Sequence, residues 1–270
     1  VEFIPSLVVV SLTFYICCSL YNDKRIAIAS MLLVSVFWEL LFNSMRFHLE
    51  GLALAFGFLG TYVFFKGYEN KEKLFGKIDG KWAMPIAAFL IVITYGIRRG
   101  FFVYGLFFLI YLLFTKKISV ILKDKYNWIA LAISLIALFI IEKFFFDASI
   151  TEVAGSYSHV SDIPFNLYPL QVFSSYFQNI FSHLFSVLLY LFWIGIAFLV
   201  DNLFIHRGFY GKIRENKVKG DLFAILSIII TLSYFLFFQR VQEFVEPRWY
   251  YPLLLGCIIC ISRATILITD

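Results

Sequence analysis

Apolar runs close to the ~20 residues that cross a hydrocarbon core recur along the whole chain, separated by short polar breaks. They predict spans at 3–21, 26–43, 51–66, 82–97, 101–115, 128–146, 180–200, 222–239 and 250–268. No low-complexity tract, Pro/Ser-rich linker or matched pair of halves interrupts them. The expectation is an all-α integral membrane protein, a single polytopic domain over residues 1–270 with about nine transmembrane helices.

The polar breaks alternate in charge. Asp23-Lys24-Arg25, the stretches Lys66 to Lys81 and Lys116 to Lys125, and Arg207 to Lys219 are lysine-rich. Cytoplasmic loops carry such an excess, so this set is placed inside. The other set, 44–50, 98–100, 147–179 and 240–249, then lies outside, and nine spans satisfy this orientation without exception. The chain is 61% hydrophobic and only 15% charged, far too apolar for a soluble domain of this size. Its net charge of +5 sits mostly on the inner loops, so it reports topology and contact with anionic lipid, and a nucleic-acid partner is excluded. The Lys, Ile and Phe bias suits a prokaryotic plasma membrane. Loop 147–179 has Asp147, Glu152 and Asp162 but no Lys or Arg. Its second half mixes Phe, Tyr, Leu and Pro like a segment lying on the bilayer, which makes it a candidate lid over an outer site or, equally, a plain connection.

Arginine is where the outer face departs from expectation. It carries Arg46, Arg98, Arg99, Arg240 and Arg248, with Lys143 near a span end as its one lysine. Guanidinium binds phosphate through two parallel hydrogen bonds and keeps its charge in a low-dielectric site, so a phosphate-bearing lipid is the expected ligand. Two patches carry the chemistry. In Ser44-Met45-Arg46-Phe47-His48-Leu49-Glu50, Arg46 and Glu50 stand four residues apart and would share a helical face. They would form a capping ion pair, or present a phosphate donor and a hydroxyl acceptor. The segment from Arg240 to Pro252 adds Glu243, Glu246, Arg248 and interfacial Trp and Tyr. Charges inside the spans are read as gathering near the outer ends: Glu39, one turn from the end of the second span, and Glu142 with Lys143 in the sixth, which would neutralise one another or snorkel to the headgroups.

No zinc-protease, phosphate-loop, EF-hand or serine-hydrolase motif occurs, and His48, His159, His183 and His206 lack metal-ligand spacing. Cys17, Cys18, Cys257 and Cys260 fall inside apolar runs and read as packing residues.

Several short motifs resemble the protein mannosyltransferase type of GT-C glycosyltransferase. They are Val1-Glu2-Phe3-Ile4-Pro5-Ser6-Leu7 before a span, the basic turn Asn22-Asp23-Lys24-Arg25, Ser44-Met45-Arg46 followed by an acid, and Glu246-Pro247-Arg248-Trp249-Tyr250-Tyr251-Pro252-Leu253. The resemblance implies a hexosyltransferase that takes a sugar from a polyprenyl- or dolichyl-phosphate donor on the extracytoplasmic face, with protein, lipid or glycan as acceptor. Arg46, Glu50, Arg98, Arg99, Arg240, Glu243 and Arg248 are the candidate substrate-binding residues. An acidic base is also implied, in related families with a divalent metal. That base lies in the first outer loop of the family, and the chain begins with Val1 at what resembles the second helix. The first helix and first outer loop, and with them the main base, are therefore expected upstream of Val1. Glu39 and Glu50 are the weaker candidates within the chain. A multi-pass transporter or flippase of a lipid-linked sugar is the alternative, since it too would use outer arginines.

The topology is checked by cysteine labelling in intact cells. A cysteine at position 72 should be modified only after the membrane is permeabilised, and modification from outside would overturn the orientation.

Overall fold

The computed structural model describes residues 3–36, 49–145, 185–205, 216–238 and 251–269. All the regular elements among them are helical. Among the described residues six helices are long and apolar enough to cross a membrane: Phe3–Tyr21, Glu50–Glu69, Gly80–Ile97, Lys125–Phe144, Val187–Phe204 and Tyr251–Thr269.

The elements run α1 (Phe3–Tyr21), α2 (Lys24–Ser35), α3 (Glu50–Val63), α4 (Ala83–Ile97), α5 (Val103–Thr115), α6 (Ile118–Lys123), α7 (Lys125–Phe145), α8 (Phe185–Val200), α9 (Asn216–Phe238) and α10 (Leu254–Thr269). Two helices end in π-helical turns, Phe64–Glu69 after α3 and Asp201–Ile205 after α8. Asp23 caps α2 by accepting from the Arg25 amide at 2.9 Å, and Asn22 takes the left-handed φ of 53° that turns the chain between α1 and α2. Asparagine adopts this conformation more cheaply than most residues.

α1 packs between α2 and α3, α3 against α4, and α4 against α7. α10 sits among α2, α8 and α9, while α9 reaches across to α5 and α1. α7 lies at the periphery, with Leu135, Ile136, Phe139 and Ile140 exposed as a lipid-facing surface. α10 is its opposite and is buried from Leu254 to Ala264. Apolar side chains gain nothing by leaving lipid for one another, so close packing by small residues holds such helices together. A Cβ on Gly195 of α8 would stand 2.1 Å from the Cys260 carbonyl oxygen of α10, and one on Gly256 of α10 would stand 2.8 Å from the Ala224 carbonyl oxygen of α9. Glycine thus sets the backbone spacing on both sides of α10. Cys257 and Cys260 are buried in this packing, and none of the four cysteines is disulfide-bonded.

Buried charge sits at the two ends of the bundle. One end holds Glu50, Arg98, Arg99 and Glu142. The other holds Glu69 between Lys116 (2.8 Å) and Lys219 (3.2 Å). Beside it Arg263 pairs with the fully buried Asp221 at 3.3 Å. Asp221 also accepts from Tyr21 Oη (2.9 Å) and Asn202 Nδ2 (2.8 Å), so α1, the turn after α8, α9 and α10 meet on one carboxylate. Arg263 corrects the expectation that charges within spans gather near the outer ends, for it lies inside the last apolar run on the lysine-rich side. Among the described residues Arg263 is the charged side chain nearest the middle of a helix that could cross, three residues from the midpoint of Tyr251–Thr269.

Removing one partner of a buried ion pair strands the other charge and costs about 3–5 kcal/mol, whereas replacing both by apolar residues is often neutral. Asp221→Leu should lower stability in detergent by about 3 kcal/mol, and adding Arg263→Met should recover most of the loss. Thermal or denaturant unfolding measures both, and a single variant as stable as wild type would refute the pairing.

Candidate functional site

α4 ends at Ile97, and Arg98 follows in extended backbone (φ −147°, ψ 108°), its amide still donating to the Thr94 carbonyl at 3.0 Å. A 3₁₀ turn, Arg99–Phe102, then leads into α5. Within this tight connection the two adjacent arginines point to different helices. Arg98 Nη2 lies 3.4 Å from Glu50 Oε1 on α3, and Arg99 Nη2 donates to Glu142 Oε2 on α7 at 3.0 Å. Tyr95, one turn back on α4, donates its hydroxyl to the other Glu142 oxygen. Glu50 is the first residue of its helix, where the helix dipole favours a carboxylate, and Arg98 follows the end of its own, where the dipole favours a cation.

Burial is uneven across these pairs. The Glu50 and Glu142 side chains are 5% and 10% exposed, against 38% and 40% for Arg98 and Arg99. Each carboxylate is a buried anchor, and each guanidinium is held over it at the surface. Two oriented guanidinium groups on consecutive residues are suited to a doubly charged oxyanion.

An apolar groove of about 350 Å³ runs between α4, α5 and α7 beneath this cluster. Tyr95 and Leu138 line its upper end, and Asn127 and Trp128 its lower end. From Trp128 to Leu138 the helix rises about 15 Å, which would hold about ten carbons of an extended chain.

The structure brings together Glu50, Arg98 and Arg99 of the sequence-derived set. Glu50 faces Arg98, and Glu142 faces Arg99 where Lys143 was the expected partner; Lys143 lies 5.7 Å from the centroid of the Phe139 ring. Arg46, Arg240, Glu243, Arg248, Glu39 and the loop 147–179 lie outside the described residues. The sequence reading missed Tyr95 and the inner residues Glu69, Asp221 and Arg263. A signal was present for Arg263, an arginine inside an apolar run, but none for Tyr95, which resembles any interfacial tyrosine.

Among the described residues no group of three His, Cys, Asp or Glu side chains could hold a metal ion. Glu50 and Glu142 each face a guanidinium, so these residues do not fit a divalent cation. The chain matches no family model, no curated protein and no solved structure. The glycosyltransferase resemblance therefore rests on the short motifs quoted above.

Pairing at the site is checked by double-mutant cycles. Arg99→Ala with Glu142→Ala should show a coupling of about 1 kcal/mol or more in stability, as groups in contact do. Arg98→Ala with Glu142→Ala should be close to additive. Coupling in the second cycle and none in the first would refute the assignment of partners.

Proposed function

We propose that the chain is the membrane body of a GT-C-like glycosyltransferase, with a polyprenyl-phosphate sugar as donor and transfer on the extracytoplasmic face of a plasma membrane. One observation carries the reading: two exposed guanidinium groups, each oriented by a buried carboxylate, stand at the head of an apolar groove. That juxtaposition suits a phosphate joined to a long apolar chain. The nine-span count belongs to the same proposal, with α2, α5 and α9 crossing in addition to the six helices named above.

In this reaction the bond between the anomeric carbon and the phosphate oxygen breaks, and the electron pair leaves with the lipid phosphate. Positive groups fixed in advance near that oxygen stabilise the developing charge. Arg98 and Arg99 fill this role, and the groove keeps the lipid chain aligned. The acceptor hydroxyl bonds to the anomeric carbon and gives its proton to a carboxylate. Glu50 is already engaged with Arg98, 3.4 Å away, so the acceptor's proton is assigned to no carboxylate among the described residues. A multi-pass transporter or flippase of a lipid-linked sugar is the alternative, since it too would use oriented arginines.

The full-length protein in liposomes, given a radiolabelled polyprenyl-phosphate sugar, tests this. Arg98→Lys and Arg99→Lys should each slow transfer about ten- to a hundred-fold, because lysine keeps the charge and loses the planar fork. Arg46→Lys and Arg248→Lys belong in the same series. Wild-type rates in both Arg98→Lys and Arg99→Lys would remove the phosphate role, and donor crossing the bilayer uncleaved would replace the enzyme by a transporter.

A further inference from the structure

A second cavity, of about 570 Å³, opens at the opposite, lysine-rich end between α1 and the π-turn that ends α3. Its walls are polar, although the bundle around it is held by apolar contacts. Tyr15 and Ser19 line it from α1 and Asn22 from the turn after it, with Tyr62 from α3 and Lys66 and Asn70 from the π-turn and its cap. Asn70 Nδ2 donates to the Ser19 carbonyl at 2.9 Å and fixes the two walls together. The π-turn, a geometry that recurs at functional sites, places Lys66, Glu69 and Asn70 on the cavity side of one helix end.

The lysines around this end are used differently. Lys116 and Lys219 both pair with Glu69, whose side chain is only 3% exposed. Among the described residues no carboxylate lies within ion-pair distance of Lys66. Its ammonium hydrogen-bonds the Tyr62 side chain and lies 5.4 Å from the centroid of that ring, on the wall of the cavity, with Glu72 as the nearby carboxylate. Glu72 stands exposed at the mouth. With Lys116 counted, three lysines face two glutamates, so the site is net positive. A lysine kept near the membrane boundary with an aromatic ring for company, while its neighbours neutralise a carboxylate, is placed to meet an anion from outside the chain.

We propose that this cavity is a second ligand site, which takes a phosphate-bearing polar head group at the inner face of the membrane with Lys66 as its cation. Lysine binds phosphate as a point charge, and the Asn22 and Asn70 carboxamides supply neutral polar atoms beside it. Glu72 accepts from a hydroxyl or ammonium on the same head group. The phosphate arrives either on an inner-leaflet phospholipid or on a small soluble molecule. The site lies at the other end of the bundle from Arg98 and Arg99 and is independent of the glycosyl-transfer reading.

The test uses the full chain purified in detergent and, separately, reconstituted in phosphatidylcholine vesicles. Reductive methylation of each lysine is followed by mass spectrometry with inorganic phosphate, with glycerol 3-phosphate, or with phosphatidylglycerol added to the vesicles. Lys66 should be protected several-fold while the exposed Lys125 is methylated at an unchanged rate. Protection by the soluble compounds assigns a soluble ligand, and protection by phosphatidylglycerol alone assigns a lipid head group. Lys66→Gln should weaken binding of the protecting compound by about tenfold or more. Unchanged methylation of Lys66 in every arm would overturn the proposal, as would a folded Lys66→Gln variant that binds as wild type does. The protection measurement on wild-type protein decides the matter if the variant does not fold.

Discussion

A buried carboxylate stands at each end of one helix, and the rest of the structure is arranged to answer them. Glu50 opens α3 and Glu69 closes its π-turn, and both side chains are 5% exposed or less. The nineteen steps between them span about 28 Å at 1.5 Å per residue, close to the thickness of a hydrocarbon core. Neither carboxylate could be taken from water without a cation, because an unpaired buried charge costs several kcal/mol. Arg98 answers Glu50 from the α4–α5 connection, and Lys116 and Lys219 answer Glu69 from α5 and α9. These pairings fix which helices surround α3 and at what height.

Between the two polar ends, shape does the holding. Gly195 and Gly256 let α8 and α9 approach the α10 backbone closely, and Gly57 gives room to the buried Tyr104 ring of α5. The middle of the bundle holds small polar side chains such as the buried Thr13, which donates to the Val9 carbonyl of its own helix, while most of the charges stand toward the two ends. At the inner boundary three consecutive residues of α9 face three different helices. Lys219 meets the end of α3, Gly220 presses against the Tyr21 ring of α1, and Asp221 holds Arg263 of α10.

Much of the helix plan was legible in the sequence, because an apolar run of membrane length has few other uses. The spans read at 3–21, 82–97 and 101–115 correspond closely to α1, α4 and α5. Less legible was where a helix would stop. Lys66 reads as the start of a loop, yet the π-turn carries the helix through Glu69, because Glu69 reaches lysines brought in by α5 and α9. Partnerships across the bundle were illegible for the same reason. Spacing along one helix shows which residues share a face, as for Arg46 and Glu50, but not that Arg98, 48 positions away, will meet Glu50. The pairing of Glu142 with Arg99 in place of its neighbour Lys143 is likewise set by the packing of α4 on α7.

The two ends differ in how cations meet carboxylates, although the lysine-rich end also holds the Arg263–Asp221 pair. At the inner end two lysines converge on one carboxylate, a task for compact point charges on flexible stems. Each of them is no more than a quarter exposed, so both are absorbed into the structure. At the outer end each carboxylate has its own guanidinium, and both guanidinium groups stay about two-fifths exposed. A planar group gripped from below by a buried carboxylate loses little further freedom when it meets an oxyanion from above, and lysine offers no such fixed plane. On the proposed phosphate-binding role, arginine at this end answers a demand for orientation that lysine would not meet. The carboxylates are the buried members of both pairs, and each holds its guanidinium in place from the interior side.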